Sequence, residues 1–184
     1  MIIALTGVQS AGKTTLLQAL QDDFSNRGIP VTVVSDMTRD LHRLGKPIND
    51  YSSDYNETQR LIIQGHIDNI ENLKKYSEDS SIVILDRCML DGALYTDYFF
   101  DQNKVTKDVR DFGFEMLETF WKMYRFMFYL NPGDVPLVDD KVRSTNVDFR
   151  NAMIQKFNMY NPKYNVITIS GSVKDRVNVI KRYL

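Results

Sequence analysis

The nine residues GVQSAGKTT, Gly7–Thr15, constrain this chain more than any other stretch. They contain G-x-x-x-x-G-K-[ST] as Gly7, Gly12, Lys13 and Thr14. Glycine is needed where a backbone bends sharply and approaches an anion closely. Such a loop turns its N–H groups inward at the start of a helix, whose dipole favours negative charge. Lys13 then reaches the β- and γ-phosphates, and the Thr14 hydroxyl is offered to Mg²⁺. Gln9, Ser10 and Ala11 inside the motif, and Thr15 after it, complete the expected cradle around Gly7, Gly12, Lys13 and Thr14. With glycine at about 7% of residues, chance produces this pattern in on the order of one chain in a hundred or fewer. The flanks fit the motif too: IIALT before it reads as a strand and KTTLLQAL after it as a helix.

The strand before the loop is the first of five apolar stretches, Ile2–Thr6, Val31–Ser35, Ile82–Leu85, Phe126–Leu130 and Val166–Ser170. Several lack polar alternation, as expected of parallel strands covered on both faces. Helical patterns lie between them, at Lys13–Arg27, Glu57–Tyr76, Asp91–Phe100, Lys107–Tyr124, Val147–Phe157 and Val173–Tyr183. The alternation predicts an α/β fold with a five-stranded parallel sheet flanked by helices. Such sheets bind ligands at the carboxyl ends of their strands. No repeat, low-complexity tract or linker divides the 184 residues, which predicts one domain over 1–184.

Composition excludes several classes. Lys and Arg number 23 against 24 Asp and Glu, so bulk charge attracts neither nucleic acid nor an anionic membrane. Cys88 is the only cysteine, and His42 and His66 the only histidines. A disulfide framework and a cysteine or histidine metal cluster are thereby ruled out. No apolar run approaches the ~20 residues that span a bilayer. The N-terminus lacks a basic leader and a small-residue cleavage site, so a cytoplasmic protein without membrane partners is expected.

The third strand ends in IVILDRC. A carboxylate at Asp86 is placed to hold Mg²⁺ with Thr14, or alternatively to cap the next helix. Arg87 is placed to grip a phosphate in a bidentate way, or alternatively to form a surface ion pair. No guanine-reading Asn-Lys-x-Asp segment is present; NPGD at Asn131–Asp134 lacks the lysine. Motor ATPases are usually larger, with sensor and oligomerisation segments.

Taken together, the phosphate loop, DRC at Asp86–Cys88, SDMTRD at Ser35–Asp40 and VDDKVRSTNVDFRNAM at Val138–Met153 resemble the P-loop nucleoside and nucleotide kinases. The resemblance is to thymidylate kinases, deoxynucleoside kinases and nicotinamide riboside kinase domains. It implies the P-loop NTPase fold in an adenylate-kinase-like form with a short lid at about 138–153. It also implies ATP and Mg²⁺ as cofactors. By the same resemblance Asp36, where many relatives carry Glu, takes or orients the proton of the acceptor hydroxyl, and Arg39 binds phosphate. Cys88 stands where relatives carry Ser, Tyr or His. Arg143 and Arg150, seven residues apart, match lid arginines that close over the transferring group; a solvated helix is the alternative. The segment ISGSVKDR, Ile169–Arg176, is similar to a loop that lies against adenine through its backbone near Ser170–Ser172.

On the acceptor side, Gln59 carries a paired donor and acceptor suited to a base edge, or else faces solvent. Tyr95, Tyr98, Phe99 and Phe100 either stack on a base or belong to the core; Tyr51 and Tyr55 fall in a preceding loop. The aromatic helix Lys107–Tyr124 either pairs with a second subunit or is buried in the monomer.

The resulting expectation is an ATP-dependent phosphotransferase acting on a nucleoside or nucleoside monophosphate. One alternative keeps the chemistry but places the acceptor within DNA, as in viral enzymes that phosphorylate a hydroxymethylated pyrimidine such as 5-hydroxymethyluracil, the location then being the host cytoplasm. Another is a regulatory P-loop ATPase without a small-molecule acceptor.

Overall fold

The computed structural model describes residues 1–38, 41, 44, 54–73, 75, 81–133 and 146–184. Strands β1 (Ile2–Thr6), β2 (Val31–Val34), β3 (Ile82–Asp86), β4 (Phe126–Leu130) and β5 (Ile167–Ile169) form one parallel sheet in the order β2-β3-β1-β4-β5. The loop-bearing strand β1 is therefore central. In β1, Ile3, Ala4 and Leu5 are wholly buried, and so are Val83 and Ile84 in β3. That burial is why these strands carry unbroken apolar runs rather than alternation.

Helices α1 (Lys13–Asn26), α2 (Tyr55–Glu71), α3 (Met89–Asp101), α4 (Lys107–Phe120), α5 (Val147–Tyr160) and α6 (Val173–Lys181) flank the sheet. The five predicted strands are all present, and the sheet is parallel as expected. Boundaries shift for local reasons. Helix α2 starts at Tyr55, because the Asp54 carboxylate accepts the Glu57 N–H and caps it. Helix α3 starts at Met89, two residues early, because the Asp91 carboxylate reaches back to the Cys88 N–H at 3.0 Å. The pattern predicted through Tyr124 breaks after Phe120 into a single tight turn, Trp121–Met123. Helix α5 runs on to Tyr160, with Phe149, Met153 and Phe157 buried at fours.

The aromatic helix α4 faces its own molecule in part. Phe114 stacks tilted on Tyr160 at 5.4 Å between centroids, and Phe112, Phe120 and Trp121 pack half-buried on the core. Phe99 is fully buried against Tyr55 and Phe149, which answers the stacking question for that ring in favour of core. No helix among the described residues is long and apolar enough to cross a membrane.

Candidate active site

The loop after β1 has the backbone its glycines predict. Gly7 has φ 139° and Gly12 φ 85°, both in the region that L side chains avoid. A Cβ on Gly7 would lie 3.2 Å from the Leu130 carbonyl oxygen, so the loop also needs glycine there to pack on β4. Gly12 caps α1, and its carbonyl accepts the Leu16 N–H at 3.0 Å. Lys13 is buried, and its Nζ donates to the carbonyls of Gly7 and Val8 at 2.8 and 2.9 Å. The ammonium thus spans the mouth of the loop. Gln9 and Ala11 are buried, Ser10 and Gly12 half-buried, and Thr14 and Thr15 exposed at the loop's outer rim.

Parallel pairing sets Leu5 beside Asp86, which brings the end of β3 to the base of the loop. Thr14, Ser35, Asp36 and Asp86 then line one cavity of about 280 Å³ with Leu17, Gln18, Gln21 and Val33. Hydroxyl and carboxylate oxygens facing one space suit Mg²⁺, a hard cation that takes oxygen ligands. Among the described residues no three His, Cys, Asp or Glu converge into a cage. Thr14 and Asp86 are the residues positioned for Mg²⁺.

Arg87, next to Asp86, is the centre of a buried ionic wall that joins the cavity through Asp36. Its guanidinium is buried; Nε donates to Asp36 Oδ2 at 2.8 Å, and Nη1 to Asp91 Oδ1 at 2.9 Å and to the Gly7 carbonyl at 3.3 Å. It also lies 5.3 Å over the Tyr95 ring. Burial alone would disfavour this charge, but Asp36, Tyr95 and Asp91 outweigh it and hold the guanidinium protonated, well above its ordinary value. The predicted surface ion pair is thus corrected: the pair exists but is buried. Asp36 Oδ1 accepts both the N–H (3.0 Å) and the hydroxyl (2.6 Å) of Thr38, so its carboxylate is fixed from two sides. Arg87 has φ 80°, a left-handed conformation rare outside glycine. The backbone strain is held where ion pairs surround it.

Asp91 joins this wall to the loop. It accepts the Gly7 N–H at 3.4 Å as well as Arg87 and the Cys88 N–H. Cys88 is buried, and burial together with Asp91 pushes its thiol well above the ordinary range. His66 lies under Gly92, and burial pushes its pKa down, opposed by Asp91 and Asp36. Gln59 is completely buried; its Oε1 accepts the Thr96 hydroxyl at 3.1 Å, while Nε2 has no hydrogen-bond partner among the described residues. The alternative of a solvent-facing Gln59 is therefore overturned. Tyr95 donates to Gln9 Oε1 at 3.3 Å, bridging α3 and the phosphate loop. Tyr129, on β4, has its hydroxyl pushed up to about 12 by burial and by Tyr95 nearby.

Of the predicted site residues, Gly7, Gln9, Ser10, Ala11, Gly12, Lys13, Thr14, Thr15, Asp36, Asp86 and Arg87 converge on this region. Arg39 and Arg143 lie outside the described residues, as do Tyr51 and 138–145 of the predicted lid. Arg150 sits in the first turn of α5, half-buried, and its charge acts on Tyr129. Asp91 was missed as a site residue; the signal was its place three residues after Cys88, the spacing of a capping box.

Comparison with known proteins places the fold and the family. A family model described as AAA domain matches residues 2–176. The chain belongs to the AAA domain family. This AAA domain is a P-loop NTPase by its loop and sheet. A search of curated proteins finds no match. Among solved structures, the deoxyadenosine kinase from M. mycoides with products dCMP and a flexible dCDP bound is similar at TM-score 0.67 and 14% identity. That match covers 99% of this chain and 97% of the other. The same kinase with bound dATP matches at TM-score 0.65 and 12% identity, with the same coverage. The AAA domain described here therefore has the P-loop kinase fold over its whole length.

Proposed function

We propose that this AAA domain is a nucleoside kinase that transfers the γ-phosphate of ATP to a nucleoside hydroxyl. The observation that carries the proposal is the single cavity into which Thr14, Asp36 and Asp86 open, where a phosphate loop and an acceptor-side carboxylate meet. The fold shared with a deoxyadenosine kinase supports it.

Lys13 would leave the Gly7 and Val8 carbonyls for the β- and γ-phosphate oxygens, joined by the loop's N–H groups. Thr14 and Asp86 would hold Mg²⁺, which would neutralise charge on those oxygens. Asp36, fixed by Thr38 and Arg87, orients the acceptor hydroxyl. The acceptor oxygen bonds to the γ-phosphorus, the bond to the β,γ-bridging oxygen breaks, the proton passes to the Asp36 carboxylate and ADP departs. Most of the rate gain comes from positioning and charge stabilisation. Arg39 and Arg143 are proposed to bind phosphate and to close over the transferring group. The unpaired Gln59 amide suits recognition of a base edge.

A nucleoside fits better than a monophosphate because of charge. Among the described residues, Arg87 is shared between the Asp36 and Asp91 carboxylates, so its charge is already matched by anions. A hydroxyl is compatible with that balance, whereas a dianionic phosphate there meets like charge.

The test is purified protein with γ-labelled ATP, Mg²⁺ and a panel of nucleosides, nucleoside monophosphates and hydroxymethyl-containing DNA. Transfer to nucleosides is expected, with Asp36→Asn slowing it by roughly 10²–10⁴-fold while ATP binding persists. Label found only in DNA, or ATP turnover indifferent to every acceptor, would replace this proposal with one of the other two classes.

A further inference from the structure

Arg176, near the start of α6, lies 165 positions along the chain from the phosphate loop and yet touches it. Its Nη1 donates to the Ala11 carbonyl at 2.7 Å, and Nη2 to the Asn131 carbonyl at the end of β4 at 2.9 Å. The side chain is buried at 6% exposure, and Nε is buried with no hydrogen-bond partner among the described residues. Among the described residues it makes no ion pair. Its neighbour Asp175 instead accepts from the Ser172 N–H and hydroxyl, at 3.0 and 2.5 Å. Burial therefore lowers the Arg176 pKa with no carboxylate to oppose it. A buried cation without a counter-charge is costly and persists where something compensates for it.

We infer that Arg176 is a positioning residue for the triphosphate, which fixes the direction of the Gly12 amide and adds uncompensated positive charge behind the loop. The geometry of the peptide makes the link. The Ala11–Gly12 bond is trans, so the Ala11 carbonyl and the Gly12 N–H point to opposite sides. Arg176 grips the carbonyl on the outer side of the loop, which turns the N–H toward the inner side, where the phosphates would sit. Gly12 in its left-handed conformation has no Cβ, and an added one would meet Nη1 at 3.5 Å, so the guanidinium lies directly against this residue. Through Asn131 the same side chain ties the loop to the end of β4, holding it against the sheet. The charge finds its counter-ion when the nucleotide arrives.

This inference rests on the loop binding a nucleoside triphosphate, and its test reads binding rather than phosphotransfer. Wild type, Arg176→Met and Arg176→Lys are titrated by calorimetry with ATP and with inorganic tripolyphosphate, each with Mg²⁺, and melted with and without ligand. Charge-assisted hydrogen bonds of this kind predict Kd rising about tenfold or more for Arg176→Met, by the same factor for both ligands. Arg176→Lys keeps the charge but cannot grip two carbonyls with a planar fork, and falls between. The ligand-free melting temperature changes little, because relief of the buried charge offsets the lost hydrogen bonds. If Arg176→Met does not fold, the lysine variant carries the test. Variants that bind tripolyphosphate like wild type overturn the inference, and so does weakened binding matched by an equal loss of ligand-free stability. Wild type that binds neither ligand removes the triphosphate site itself and the inference with it.

Discussion

The two halves of the candidate site are built in opposite ways. The donor half is nine consecutive residues whose polar groups are mostly backbone, shaped by Gly7 and Gly12 and spanned by Lys13. The acceptor half is assembled from side chains far apart in sequence. Arg87 follows β3, Asp36 follows β2 and Asp91 opens α3, and they meet as buried ion pairs. A backbone cradle tolerates variation in its side chains and depends on a few dihedral angles. A buried ionic wall depends on every member, because removing one leaves another uncompensated. On the proposed function the donor half would accordingly be general in what it binds, whereas the acceptor half would set selectivity.

The largest effect that would sharpen this contrast is on stability. Arg87→Met removes the guanidinium that pairs with both Asp36 and Asp91 in the interior, and denaturant unfolding should show a loss of about 3–5 kcal/mol. If the variant unfolds like wild type, the wall is not the structural unit described. Lys13→Met should do the reverse. Its lost hydrogen bonds to the Gly7 and Val8 carbonyls cost less, about 1–3 kcal/mol, while kcat for phosphotransfer falls by roughly 10²–10³-fold, measured by steady-state kinetics.

A smaller effect tests the packing under the wall. A Cβ on Gly92 would sit 3.0 Å from the His66 ring. Gly92→Ala should cost on the order of 1 kcal/mol, since crowding of the ring exceeds the gain in helix propensity. The smallest effect concerns pH. The His66 pKa is lowered in the folded state, chiefly by burial, so the unfolded chain binds the proton more tightly. That part of stability is present above the ordinary histidine pKa and is lost as pH falls below it, through the folded value. Melting temperature should decline on that acid side, and His66→Gln should flatten the decline. An unchanged slope in the variant would assign it to other groups.

The same division governs what the sequence discloses. The loop, its strand and its helix are contiguous, and each obeys a local rule of spacing, so Gly7–Thr15 and all five strands are legible in advance. Asp86 is legible because it ends an apolar run. The burial of Arg87 is not, because it depends on Asp36, 51 positions away, and on Tyr95. The burial of Gln59 depends on Thr96 across two helices. The segment ending in Arg176 is legible but the contact it makes is not; only the sheet order, which sets β4 between β1 and β5, brings Arg176 to Ala11. Chain ends of elements shift for a similar reason, as when the Asp91 carboxylate starts α3 early.

The two hydrogen bonds from Lys13 to the Gly7 and Val8 carbonyls make the loop its own competitor. An incoming ligand gains from Lys13 only the difference between its own oxygens and those carbonyls. A carbonyl dipole is a modest rival for a triphosphate, whose γ- and β-oxygens carry several charges, and a more serious one for a ligand with a single weakly charged group. The occupied lysine thus acts as a threshold. On the proposed function it would discount weak anions and yield to a chelating polyphosphate, so that discrimination among donors would begin before the acceptor wall takes part.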